Sequence, residues 1–293
     1  MPRQRASRCP RRSRSPQTRT ATPERAEPAA PDPGGGLVRV RLDVAYDGTD
    51  FSGWAAQPGR RTVQGVLSEA LTRIVRAPAA LTVAGRTDAG VHASGQVAHA
   101  DLPVVPEPRR LNGALPSDLR VMAATPVPRE FDARFSALWR RYVYRICDGV
   151  MNPLRRRYVL SRPRSLDVEA MSRAAAKLLG EHDFVAFCRR HEGSTSVRLL
   201  TSFDVSRDRA EIVCTVQADG FCHSMVRSLV GALLAVGEGR RDEAWPVSLL
   251  ERTDRAGEVS VVAPHGLTLV AVGYPPDADL AGRAAQTRRL RTH

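Results

Sequence analysis

Apolar and polar residues alternate through Val38-Arg39-Val40-Arg41-Leu42-Asp43-Val44, which predicts a strand with one wet face. Tyr46-Asp47-Gly48-Thr49 is turn chemistry. From Thr62 the spacing becomes helical, with Val66, Leu67, Ala70, Leu71, Ile74 and Val75 on one face. Short strands are predicted over 81–85 and 96–102, enclosing a segment punctuated by Gly85, Gly90 and Gly95. Further strands follow over 119–127 and Trp139–Cys147, the second closed by the turn residues Asp148-Gly149.

Past an Arg-rich link at 155–164, Asp167 is placed to cap a helix carrying Met171, Ala174, Ala175, Leu178 and Leu179, with Gly180 as its stop. Strands are predicted over 199–206 and 210–218, then a turn at Asp219-Gly220. A helix through Met225, Leu229, Leu233 and Val236 and a last strand over 267–274 complete the pattern. Strands interleaved with helices, and many turn-linked strand pairs, predict an α+β fold with a largely antiparallel sheet. Residues 1–36, rich in Pro, Arg, Ser and Gly, are expected to form a disordered basic extension, and 276–293 a disordered tail. Between them, 37–160 and 161–275 are expected to be two halves of one catalytic domain. No apolar run reaches the roughly 20 residues that span a bilayer, and the N-terminus lacks the apolar segment of a secretory signal, so a cytoplasmic protein is expected.

Charge adds a possible partner to this picture. The formal net charge is +13, of which residues 1–36 carry +5 and 276–293 carry +2, so +6 stays within the folded part. Lys177 is the sole lysine, and an arginine-biased surface suits phosphate, although a GC-rich genome would give the same bias. The five cysteines are odd in number, scattered and never in Cys-x-x-Cys, which fits neither a disulfide framework nor a structural zinc site. Cys147, Cys188 and Cys214 are expected to be buried, inert thiols.

The densest set of reactive groups is Gly85-Arg86-Thr87-Asp88-Ala89-Gly90-Val91-His92, running on to His99. An Asp in such a loop can be a nucleophile or base toward a substrate held by the flanking Arg; it can equally cap its own turn. No dinucleotide-binding glycine pattern, zinc-hydrolase or deaminase signature, or serine-nucleophile elbow accompanies it. His92 and His99 therefore read as structural hydrogen-bonders rather than metal ligands. In a second segment, Tyr142, Tyr144 and Ile146 share one strand face and Arg141, Val143 and Arg145 the other. Aromatics interleaved with Arg suit an extruded base, and also suit an ordinary core face beside a solvated one. In a third, Phe221-Cys222-His223-Ser224-Met225-Val226-Arg227, Arg227 starts an otherwise apolar helix and needs a carboxylate if buried; Asp88 is the candidate.

Laid out in order, these segments resemble the bacterial tRNA pseudouridine synthase A family over about residues 37–275. The carriers are Tyr46-Asp47-Gly48-Thr49 with Phe51-x-Gly53-Trp54, Thr62-Val63-Gln64-Gly65, and Gly85-Arg86-Thr87-Asp88-Ala89-Gly90-Val91-His92, the most specific block. Phe131-Asp132-Ala133-Arg134-Phe135, Arg141-Tyr142-x-Tyr144, Phe221-x-His223-x-Met225-Val226-Arg227 and Gly266-Leu267-x-Leu269 follow. Ala55 departs from the pattern, standing where the family usually has Gln. The resemblance implies a pseudouridine synthase fold, with two similar halves around a central cleft. It also implies a cytoplasmic homodimer that isomerises uridines in the anticodon arm of tRNA, at nucleotides 38–40, without cofactor or metal. Asp88 then matches the catalytic aspartate, Arg86 the arginine that displaces the target base, Tyr142 the tyrosine against the bound nucleotide, and Arg227 the partner of the aspartate. Two other readings stand beside it: a catalytically silent RNA-binding protein, and a metal-dependent hydrolase using Asp88, His92 and His99.

Overall fold

The computed structural model describes residues 36–189 and 195–288. The expected disordered extension therefore lies, but for Gly36, outside the described residues. Strand β1 (Val38–Tyr46) leads to α1 (Val63–Val75), β2 (Thr82–Val83), β3 (His92–Leu102), α2 (Pro108–Ala114) and β4 (Leu119–Pro126). Next come β5 (Trp139–Cys147), β6 (Leu160–Ser161), α3 (Val168–Ala176), β7 (Gly180–Asp183), β8 (Val197–Asp208) and β9 (Glu211–Ala218). The chain ends in α4 (Met225–Gly237), α5 (Trp245–Ser248), β10 (Leu267–Gly273) and α6 (Leu280–Arg288).

Local chemistry sets these boundaries as the sequence predicts. The alternation in β1 buries Val40, Leu42, Val44 and Tyr46 and leaves the residues between them partly exposed. Thr62 caps α1 by accepting the Gly65 N–H at 3.3 Å, and Asp167 caps α3 by accepting that of Ala170 at 2.8 Å. One position differs. Gly180 does not end the helix but opens β7, at a φ of +112° that suits glycine.

All ten strands form one sheet, in the order β4-β1-β3-β10-β5-β9-β8-β7, with β2 on β3 and β6 on β5. Among the described residues only β3–β10 and β5–β6 run parallel, so the sheet is mixed and largely antiparallel, flanked by helices, as expected. Helix α2 packs on β4 with α1 against it on one side of the β3–β10 junction, and α3 packs on β8 with α4 against it on the other. β5, which a boundary at 160 assigns to the first half, pairs with β9 and β10 of the second.

The β3–β10 junction is short, with Thr268 opposite His92 and Leu269 opposite Ala93. A Cβ at Gly95 would stand 2.1 Å from the Val270 carbonyl oxygen, so β3 lies this close to β10 only because residue 95 has no side chain. The main core runs across both sides of the junction, from Leu42 and Leu67 through Tyr144 and Leu269 to Leu229 and Leu233. A smaller cluster joins Ala84, Val97, Phe131, Ala133 and Leu280. Leu280 corrects the expectation of a wholly disordered tail from 276. It is 1% exposed and roots α6 on this cluster, an apolar anchor that a mostly polar, Arg-rich stretch does not advertise.

Candidate active site

The Asp88 loop joins β2 to β3 and is braced by the segment that follows β1. The Gly85 carbonyl accepts from the Gln96 side-chain amide at 2.8 Å, and the Thr87 hydroxyl bonds the Tyr46 hydroxyl at 2.7 Å. Burial pushes the Tyr46 phenol up to about 12, so it stays a neutral hydrogen-bonding group. The Trp54 N–H donates to the Thr87 carbonyl at 3.0 Å, and the Gly90 N–H to that of Phe51 at 3.3 Å. Gly53 makes this approach possible. Its φ is +89°, and a Cβ there would lie 2.8 Å from the Thr87 oxygen. Phe51-x-Gly53-Trp54 is thus the buttress of the loop.

Asp88 projects toward the start of α4. Its Oδ2 accepts from Arg227 Nη1 at 3.1 Å and from the Ser224 hydroxyl at 3.3 Å. His223 Nε2 faces the other oxygen, Oδ1, at 3.4 Å. Arg227 is itself held by donation from Nε to the Val262 carbonyl at 2.7 Å. Helix α4 has no acidic residue in its first turn, so Asp88 supplies the negative charge its N-terminus favours. Arg227 and Ser224 fix one carboxylate oxygen. The other is faced by His223, and the Asp88 side chain as a whole is still 26% exposed, so the carboxylate is oriented without being closed off.

Tyr142 lies in the same corner. Its ring meets Phe221 edge-on with centroids 5.2 Å apart, and its hydroxyl would stand 3.9 Å from a Cβ at Gly85. Burial, reinforced by Tyr46 and Asp88, raises the Tyr142 phenol well above its usual range, so it too is neutral. Tyr144 and Ile146 share its buried face while Arg141 is exposed, as strand parity predicts. Arg86 is exposed and has no ion pair among the described residues, so its guanidinium remains open to a phosphate or a base edge. The structure therefore brings Asp88, Arg227 and Tyr142 together and leaves Arg86 at the rim.

Three contributors were not singled out by sequence. His223 and Ser224 stand in a segment already marked for Arg227, but nothing in the pattern aimed them at Asp88. Arg140 is 7% exposed, and it shares by parity the Tyr142 face, the one sequence signal that would have found it. It donates from Nε and Nη2 to the Ala84 carbonyl (3.2 and 2.7 Å), from Nη2 to that of Arg134 (2.6 Å) and from Nη1 to that of Asp219 (2.7 Å). Burial lowers its pKa, a cost that the carbonyl acceptors offset by favouring the charged form. Arg140 thus pins the root of the Asp88 loop.

His92 and His99 serve backbone groups. His92 Nδ1 accepts from the Gly48 N–H at 3.0 Å, and Nε2 faces the Arg157 and His265 carbonyls at 2.8 and 3.1 Å. His99 Nδ1 accepts from the Ala133 N–H at 3.0 Å, and burial lowers its pKa. The cysteine expectation needs a correction. Cys188 and Cys222 form a disulfide, with Cα atoms 5.8 Å apart, whereas Cys147 and Cys214 are buried and free. The two partners are 34 residues apart, in different loops that converge before α4, and spacing along the chain carries no sign of that convergence.

A family model described as tRNA pseudouridine synthase matches residues 44–136 and 174–275. A relative named tRNA pseudouridine synthase A from Frankia casuarinae is 60% identical over 264 residues, covering 87% of this chain and 96% of the relative. Proteins of the same name from Streptomyces griseus and Mycobacterium leprae are 56% and 48% identical. They cover 88% and 87% of this chain, and 95% and 96% of their own lengths.

Proposed function

Because the chain belongs to the tRNA pseudouridine synthase family, whose members isomerise uridine in tRNA, we propose that it acts on the anticodon stem-loop at nucleotides 38–40, with Asp88 as its catalytic group. The observation that carries the reading is the carboxylate of Asp88, fixed through one oxygen by Arg227 and Ser224 and presenting the other. Pseudouridine formation breaks the N1–C1′ bond, turns the uracil and joins C5 to C1′. The C5 hydrogen leaves as a proton and N1 gains one, so no electron or donated group is required. Asp88 acts as nucleophile or base at the ribose or the ring.

Arg227 holds the carboxylate aimed. Tyr142, a neutral ring braced on Phe221, is the surface against which the extruded uracil packs. Taking the base from its stack costs a few kcal/mol, which Arg86 at the rim and the Tyr142 ring offset. The silent RNA-binding alternative has no use for a carboxylate oriented by three neighbours. The hydrolase alternative is disfavoured because His92 and His99 bond backbone groups instead. This reading includes a cytoplasmic homodimer, whose solution mass would be twice 32.0 kDa.

Unmodified tRNA transcript tritiated at uridine C5 tests the proposal. Release of tritium without added metal or nucleotide is expected, with the new pseudouridines mapping to 38–40. Asp88→Asn should keep the fold, and its activity should fall by more than about a thousandfold, as when a catalytic group that acts with its neighbours is removed. Activity retained by Asp88→Asn would refute the assignment.

A further inference from the structure

We propose that Cys188 and Cys222 form a reversible thiol–disulfide switch that clamps the segment holding Asp88 in place. The inference rests on the catalytic reading of Asp88 for its effect on rate, but not for its chemistry. Cys222 directly precedes His223 and Ser224, two of the three residues that face the Asp88 carboxylate, and follows Phe221, on which Tyr142 packs. Its partner Cys188 ends the turn Val185–Phe187, whose three residues are buried in the core, so it is a fixed anchor. A second tie runs beside the first: the Arg189 N–H donates to the His223 carbonyl at 3.0 Å.

The segment so tied has reason to move when released. Ser224 adopts φ +63°, a left-handed conformation that costs a residue with a side chain about 1 kcal/mol or more and persists only where its surroundings hold it. His223 and Ser224 reach Asp88 from this strained turn. With the Cys188–Cys222 bond broken, one covalent restraint on it is gone. Cys147 and Cys214 lie in regular strands and have no sulfur partner, so the pairing is particular to this loop.

The exchange balances with a low-molecular-weight thiol as co-reactant. Its thiolate attacks Sγ of Cys222, the less buried of the two residues, forming a mixed disulfide and releasing the Cys188 thiolate, which takes a proton. A second thiolate attacks the mixed disulfide and frees Cys222, leaving the small-molecule disulfide as the oxidised product. Two electrons pass to the protein, and the reverse reaction restores the clamp. In a reducing compartment such bonds are typically transient and redox-sensing.

The test uses the full chain with Cys9→Ser, equilibrated with oxidised or reduced glutathione, in two parallel readouts. Alkylation followed by peptide mass mapping should show a 188–222 bond in the oxidised sample and two alkylated residues in the reduced one. Tritium release from tRNA should show kcat lower by about tenfold in the reduced form, within the hundredfold that a ~1 Å misplacement near a site can cost, with little change in KM. Reoxidation should restore it. Cys188→Ser should be fixed at the reduced rate and ignore glutathione. Should that variant not fold, the glutathione titration of the Cys9→Ser chain still decides. Free thiols at both positions after oxidation, or equal kcat in the two forms, would overturn the switch. Absence of all tritium release with a normal thiol titration would instead point to the catalytic reading.

Discussion

Replacing Arg140 with Met tests whether the Asp88 loop is held from below. The change removes four hydrogen bonds and leaves three carbonyls, those of Ala84, Arg134 and Asp219, without the donor they share. The buried Ala84 carbonyl left without its donor costs about 1–3 kcal/mol, and the part-buried carbonyls of Arg134 and Asp219 cost less each, so the gross loss is about 3–5 kcal/mol. Removing a buried cation returns part of this, because the guanidinium no longer has to be kept out of water. A net destabilisation of about 2–4 kcal/mol is expected by urea unfolding followed by circular dichroism. Arg140→Lys should recover only a minor part, since one ammonium cannot reach three carbonyls in different directions. The Ala84 carbonyl lies next to Gly85, so kcat should also fall while KM for tRNA moves little. If Arg140→Met lost less than about 1 kcal/mol and kept full kcat, the carbonyl clamp would be structurally idle and the reasoning wrong.

Gly53→Ala puts a methyl 2.8 Å from the Thr87 oxygen at φ +89°, and should cost about 1–3 kcal/mol and lower kcat, read by thermal unfolding and tritium release. His223→Gln leaves the Arg227 and Ser224 contacts to Oδ2 intact and loosens the side of Oδ1; kcat should drop about 10–100-fold with the fold unchanged, and a wild-type rate would remove His223 from the site. His99 has its pKa lowered from 6.5, so the unfolded chain binds the proton more readily. Stability should therefore be intact above about pH 6.5 and decline as the pH falls below it. In His99→Gln that part of the decline should disappear from a series of urea titrations across pH 5–8.

Asp88 and Arg227, 139 residues apart, could be paired from the sequence because a lone Arg on an apolar helix demands a carboxylate, and a glycine-rich loop offered one. Tyr142 was legible through strand parity. Arg140 obeys the same parity but was hidden by chemistry, since a guanidinium on a face of tyrosines contradicts the usual sorting of charge to the wet side. What it needs is three carbonyls from three separate segments, and no local pattern encodes their convergence. The Cys188–Cys222 pair was missed for a related reason. The tail from 276 was misjudged because a helix rooted by Leu280, with Ala284 one turn on, leaves too faint a periodic signal.

The junction of β3 with β10 bears on the order in which the molecule is made. β10 comes late in the sequence, and among the described residues it alone bonds both to β3 on one side and to β5 on the other. Until residues 267–273 have been synthesised, the first three sheet neighbours, β4, β1 and β3, have no ladder to the rest. A growing chain can collapse around either group of strands, but the carboxylate on one and the arginine on the other stay on unlinked sheets. The long sequence separation of these contacts also predicts slow assembly. A nascent chain stalled before residue 267 should therefore be folded in part and wholly inactive, and competence should arrive with the last strand as a single late event.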